Sequence, residues 1–488
     1  MVLKSKASKL SLLALAVGAT LSPRGAFADG KAEAPAKKST AADRKEVSIT
    51  VYNQDFGLVR EVRNIDLGSG NVNLEVADVA ATIQPETVAI RGVGGDIHVL
   101  EQNYRYDLLT PATLLDKFVG QKIRAYRYNQ QLDKEDAFDA KVLSVADGRP
   151  VLDIGGEITF DFPGRLAFPG VPPNLIAKPT LVWMLDTKAP PKPAAKGGTD
   201  VEITYLARSM SWNADYVMVV DDSDTKGDLV GWVTLKNQSG ASYENAKLKL
   251  VAGDVNRVQP VMREMEEKAA VTETKPSSFK EEGLFEYHLY TLDRPTSVLQ
   301  NEQKQVTLLE ADGIKLDKKM LFYGEQYWYR GQYGELQSNQ KVGVYLDIQN
   351  TEKNGLGMPL PKGVVRVYKA DKSGSRQFIG EDQIDHTPKD ERIRIKMGDA
   401  FDVVGDRKQT EWKELGSCAS ESAWEIELRN HKNTAADVEV WEPIGGDWTI
   451  LQSSQPSTKK DASTFTFDVN VPANGKTKIT YRVRVRWC

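Results

Sequence analysis

The sequence predicts a mainly β protein: several antiparallel β-sandwich or barrel-like domains, an immunoglobulin-like sandwich at the C-terminus, and helix only in short insertions. Three observations carry this. Apolar and polar residues alternate at period two through most of the chain, as in Val47, Ile49 and Val51 or Ile479, Tyr481, Val483 and Val485, which turns one side of each segment to a core and the other to water. Turn chemistry punctuates these runs, as at Asp147-Gly148 between two apolar stretches. Helical signals are few and short; the clearest has Thr110 as cap and Pro111 at the first helical position ahead of Leu114, Leu115 and Phe118.

In chain order, Lys4, Lys6 and Lys9, an apolar run from Leu10 to Leu21 and the small-residue site Ala26-Phe27-Ala28 read as a signal peptide over 1–28. That run is about half the roughly 20 residues a membrane-spanning helix needs, and no later segment approaches it. The mature chain is therefore expected to be exported, without a transmembrane segment. Residues 29–45 are small and charged and predict a disordered leader. An N-terminal β domain is expected over 46–119, and a small barrel-like module over 120–186. The stretch "PPKPAAKGG" marks a flexible loop within 187–200. A central β domain follows over 201–337, carrying a charged insertion at 257–283, then a β region over 338–412. The C-terminal immunoglobulin-like sandwich takes 413–488. There Trp424, Ile426 and Leu428 oppose Glu425, Glu427 and Arg429, and the basic stripe Lys478, Arg482, Arg484 and Arg486 is expected to face water, with the acidic stripe available opposite it.

Charge and cysteines narrow the function. The formal charge of −4 becomes −8 once Lys4, Lys6, Lys9 and Arg24 leave with the signal, so nothing supports nucleic-acid binding, which requires a concentrated basic face. Cys418 and Cys488 are the two cysteines. In an exported chain such a pair reads as a disulfide, and antiparallel pairing of the strands near 424 and 482 would bring the two together. Free thiols are the alternative.

No catalytic set, cofactor motif or metal motif is complete. "NGKT" at 474–477 lacks the first glycine of a phosphate loop, since position 470 is Asn470. "DDSDTKGD" at 221–228 imitates a calcium loop but places Lys226 where an oxygen ligand belongs. His98, His288, His386 and His431 share no ligand spacing. Two segments remain as ligand or partner candidates. In "YLARSMSWNADYVMVV", Trp212 and Tyr216 fall on the apolar side of a strand, while Ser211, Asn213 and Asp215 line its polar side, where they hold either a neighbouring loop or a ligand. In "FYGEQYWYRGQYGE", Tyr327, Trp328 and Tyr329, with Tyr323, have the aromatic density of a recognition surface or of a core.

The run Trp212 to Tyr216, the "NQSG" turn Asn237 to Gly240 and the "LKLVAG" segment Leu248 to Gly253 occur here in that order. With "YTLDRPTSVLQNEQKQVTLL" and "NGLGMPLPKGVVRVYKADKSG", they resemble the bacterial family catalogued as domain of unknown function 4139. The resemblance implies an exported, largely β envelope protein and brings no catalytic residues to this sequence. The expectation is a periplasmic or secreted, cell-surface scaffold or binding module for envelope proteins or polymers. The alternative is an envelope hydrolase, acting on peptide or glycan, with a site assembled from distant residues.

Overall fold

Alternation dictates the strands. In Arg44–Tyr52, Val47, Ile49 and Val51 are buried between half-exposed neighbours; in Met210–Val220 every even-numbered residue is buried. A computed structural model describes residues 36–94, 96–146, 148–172, 174–188, 198–253, 255–256 and 279–488. The expected signal peptide lies outside the described residues, as do 189–197 of the expected loop and 257–278 of the expected insertion.

Among the described residues the strands form four hydrogen-bonded sheets. A four-stranded sheet orders Lys37–Ser39, Gly70–Ala77, Thr180–Thr187 and Ile97–Arg105. An eight-stranded sheet centres on the hairpin of Arg44–Tyr52 with Phe56–Ile65, flanked by Thr199–Arg208 and Tyr243–Ala252. Both contribute to one apolar core with the strand Met210–Val220, in which Trp183, Trp212, Tyr205 and Tyr216 are essentially inaccessible. Buried indoles need partners for their N–H groups: Trp183 donates to Gln102 Oε1 at 2.9 Å and Trp212 to the Val251 carbonyl at 3.2 Å. The third sheet is an open five-stranded one in the order Glu157–Thr159, Arg149–Ile154, Lys134–Ala146, Lys122–Asn129 and Arg165–Ala167. It has its own small core around Phe118, Ile123, Val142 and Leu152, beside the helix Pro111–Lys117. Its two outer strands do not pair with each other, so the barrel-like module is an unclosed sheet.

The fourth sheet has 13 strands. Met210–Val220 and Lys226–Asn237 lead through Glu302–Tyr323, Glu335–Gln349 and Arg392–Glu414 to Ala419–Asn430 and Gly475–Arg486. Glu302–Tyr323 has 22 residues and Arg392–Glu414 has 23. At about 3.3 Å per residue each is long enough to serve two cores in turn. The second core is that of the C-terminal sandwich, built on Trp424, Ile426, Leu428, Phe465, Phe467, Ile479, Val483 and Val485.

Several expectations need correction. Residues 36–45, predicted to be leader, are ordered. Lys37–Ser39 adds a parallel edge strand with Ser39 buried, and Thr40 closes a capping box with Asp43. The expected boundaries at 337 and 412 fall inside strands, because neighbouring sandwiches share them. The insertion ends before 283: Phe279 is buried and begins a hairpin strand, Phe279–Leu284. Pairing is mostly antiparallel, but Met210–Val220 runs parallel to Gly363–Ala370.

In the C-terminal sandwich Trp424 lies opposite Tyr481, and the charged stripes meet across that strand pair. Lys478 reaches Glu425 at 2.9 Å, Lys476 reaches Glu427 at 3.1 Å and Arg484 reaches Glu421 at 2.6 Å. The same pairing joins Cys418 to Cys488 in a disulfide.

Candidate functional site

The polar side of Met210–Val220 is a ladder of side chains across the sheet. Asp215 Oδ1 accepts from Arg366 Nη1 at 3.0 Å, and Oδ2 accepts from the Thr234 hydroxyl at 2.8 Å. Gln305 Nε2 donates to Thr234 Oγ1 at 3.2 Å, and Arg366 Nε lies 3.2 Å from Glu381. The register explains the ladder, since Asp215 sits beside Val364 of the parallel strand and Trp232 of the antiparallel one, next to Arg366 and Thr234. The hydrogen bond to Asp215 raises the Arg366 guanidinium above its ordinary value. Asn213 is exposed and Ser211 half-buried on the same face. Asp215 thus meets a fixed cation and a hydroxyl where a hydrolytic site would place a histidine or a second carboxylate.

The aromatic segment divides. It forms a 3-10 helix, Gln326–Arg330, that inserts Trp328 and Tyr329 into the C-terminal core at 3% and 1% exposure and leaves Tyr327 53% exposed. Of the two readings of this segment, Trp328 and Tyr329 follow the core one, and Tyr327 stays at the surface. Between them lies a buried polar cluster that the sequence did not reveal. The Arg407 guanidinium sits 4.7 Å from the Phe322 ring centre and 4.8 Å from that of Trp328, and its Nη2 donates to Glu442 Oε1 at 2.5 Å. The Tyr329 hydroxyl donates to Glu442 Oε2 at 2.6 Å and lies 2.7 Å from the Tyr481 hydroxyl. Burial, followed by the Glu442 charge, pushes both phenols far above their ordinary value.

The eight-stranded sheet repeats the device. Glu61 accepts from Arg44 Nε at 2.9 Å, from Arg63 Nε at 2.8 Å and from the Tyr205 hydroxyl at 3.1 Å. Both sets are charge-paired and sealed, which makes them frame.

The Asp221 and Asp224 carboxylates of the calcium-like loop are taken by its own backbone amides and by lysines of other strands. Asp221 Oδ1 accepts the backbone amides of Thr225 and Lys226, and Asp224 takes Lys318 Nζ at 2.6 Å and Lys369 Nζ at 2.5 Å. "NGKT" forms the turn into the strand Gly475–Arg486, with Asn474 left-handed at φ 49°.

A further set of charged residues lines a cleft of about 520 Å³ where the two sandwiches meet: Lys315, Lys319, Lys353, Arg392, Arg394 and Lys460 with Asp317, Asp347 and Glu439. No sequence motif marks it, because its walls come from segments spread between 315 and 460 and only the long strands bring them together.

Fold and geometry define a class: a β-sandwich protein on a shared sheet, its buried charges paired and its disulfide tying the end of the C-terminal sandwich. Residues 201–488 match the family model described as Domain of unknown function (DUF4139), and the chain belongs to that family. No curated protein matches it. Among the described residues, no helix is long and apolar enough to cross a membrane.

Proposed function

We propose that the protein is an exported scaffold or binding module of the cell envelope, periplasmic or at the cell surface, that holds envelope proteins or polymers. The observation that carries this reading is the continuity of one 13-stranded sheet through two cores. Strands shared over 22 and 23 residues couple the sandwiches as a single lever, a property suited to presenting surfaces at fixed spacing. Export is supported by the signal-like start and by the disulfide. The hydrolase alternative is weakened by the engagement of Asp215 with Arg366 and Thr234. Cross-linking in intact producing cells, followed by identification of the linked species, tests the proposal. Recurrent envelope partners are expected; no partner, together with cleavage of an envelope polymer by the purified chain, overturns it.

A further inference from the structure

The cleft at the sandwich junction carries six cations against three carboxylates in a chain whose net charge is −4. Its carboxylates are already engaged. Asp347, 6% exposed, takes both prongs of Arg394 at 2.7 Å. Glu439 is held by Lys319 at 3.1 Å and by the Trp441 indole N–H at 3.1 Å, and Asp317 lies 3.2 Å from Lys319. Among the described residues, Lys315, Lys353 and Lys460 have no carboxylate within 4.0 Å, and Arg392 reaches Asp347 only at 3.6 Å.

The backbone that carries Lys315 and Lys353 is held in place, and the Lys460 side chain rests on an aromatic ring. Asn354 accepts from the Lys315 amide at 2.6 Å and donates to the Lys315 and Gln349 carbonyls at 3.3 and 3.0 Å, stapling the 3-10 turn Glu352–Asn354 to the strand Glu302–Tyr323. Glu352, the acid next to Lys353, is paired with Lys389 at 2.9 Å. Lys460 lies 3.5 Å from the centre of the Trp441 ring, which in turn stands 5.4 Å from Tyr323. A cleft on the eight-stranded sheet shows the contrast: Lys45, Arg60 and Arg91 are matched there by Glu46, Asp200 and Glu202 and paired with them.

We propose that the junction cleft is an oxyanion-binding site in which Lys315, Lys353, Lys460 and Arg392 receive the carboxylate or phosphate groups of an acidic ligand. These four side chains are exposed, but cations that converge on one concave site repel one another, and an anion placed among them relieves that repulsion. Consistent with that, burial and the charges of Arg394 and Arg392 hold the Lys460 ammonium below its ordinary value, against the opposing pull of Glu439 and Asp347.

The inference rests on the binding-module reading and names the ligand chemistry of one surface. The purified full chain is titrated calorimetrically with inorganic pyrophosphate and with a galacturonic acid trimer, at low salt and at physiological salt. Saturable binding of either probe is expected, and the probe that binds identifies the source of the oxyanion. The affinity should fall at least about tenfold in Lys315→Gln/Lys460→Gln and in Lys353→Glu, with the melting temperature unchanged, and should weaken with salt. Lys476→Gln, outside the cleft, should bind as the parent does. Binding of neither probe, or an affinity indifferent to both cleft variants while they remain folded, overturns the proposal. Partner capture by cross-linking does not depend on this result, so the two readings fail separately.

Discussion

Replacing Glu442 by glutamine keeps the side chain's shape and removes its charge, which isolates what that charge does in the C-terminal core. Arg407 and Glu442 are both completely buried, so the guanidinium would keep only the Tyr323 carbonyl at 3.0 Å, the Gln340 side chain at 3.4 Å and the faces of Phe322 and Trp328. An unpaired buried charge costs about 3–5 kcal/mol. The glutamine oxygen still accepts one hydrogen bond, which places the expected loss near the lower end, about 3 kcal/mol. That is a large share of the roughly 5–15 kcal/mol that holds a domain together. Removing both charges in Arg407→Met/Glu442→Gln should cost less than the sum of the single changes, with a coupling of about 2 kcal/mol, because the orphaned cation is gone. Urea unfolding gives the free energies. Hydrogen exchange of the strand Ala419–Asn430 shows whether the loss lies in this sandwich. A single-variant cost below about 1 kcal/mol, or strictly additive changes, would refute the claim that the ion pair organises this core.

Three further outcomes follow from the same geometry. Converting Cys418 and Cys488 to serine opens a loop with a sequence separation of 70 and should cost about 4 kcal/mol, read as a melting temperature that becomes insensitive to reductant. Asp215→Asn breaks a pair whose arginine is 39% exposed; it should cost under about 1 kcal/mol, and a loss of several kcal/mol on thermal unfolding would contradict the ladder as drawn. Alkali should destabilise the fold. Tyr205, Tyr290, Tyr329 and Tyr481 are buried phenols whose folded values lie well above the ordinary one, so below about pH 10 both states keep the proton and stability is full. Above it only the unfolded chain ionises, and stability falls by about 1.4 kcal/mol per pH unit for each such tyrosine. Denaturation midpoints that stay flat between pH 9 and 11 would count against their burial.

Strands whose charges all face water were legible, because period two survives in them: Met210–Val220, Ala419–Asn430 and Gly475–Arg486 each bury the side the alternation names. Phe56–Ile65 escaped notice for the opposite reason. Its Glu61 and Arg63 occupy inward positions that polar residues normally avoid; Glu61 is held there by Arg44, Arg63 and Tyr205, and Arg63 also donates to the Ala77 carbonyl. Arg407 and Glu442 are the same case, 35 residues apart. Pattern reading counts such residues as solvent-facing, so buried ion pairs are invisible to it. The candidate site suffered similarly. Asp215 could be placed on a polar face, but its partners Arg366 and Thr234 come from two other strands, and which strands adjoin is a property of topology.

The two buried clusters also bear on how the frame holds its spacing. Each gathers arginine and tyrosine around a buried glutamate, Arg44, Arg63 and Tyr205 at Glu61 in the first core and Arg407, Tyr329 and Tyr481 at Glu442 in the second. Apolar packing already favours one register, and a hydrogen-bonded charge pair in low dielectric adds to that, being costly in any other. The long strands Glu302–Tyr323 and Arg392–Glu414 belong to both cores, so pinning the C-terminal sandwich through Arg407, which lies on the second of them, also sets where Arg392 and Arg394 fall at the junction. The geometry of the cationic cleft is in this sense a consequence of the buried cluster. Glu442→Gln should therefore loosen oxyanion binding without touching a residue that lines the cleft.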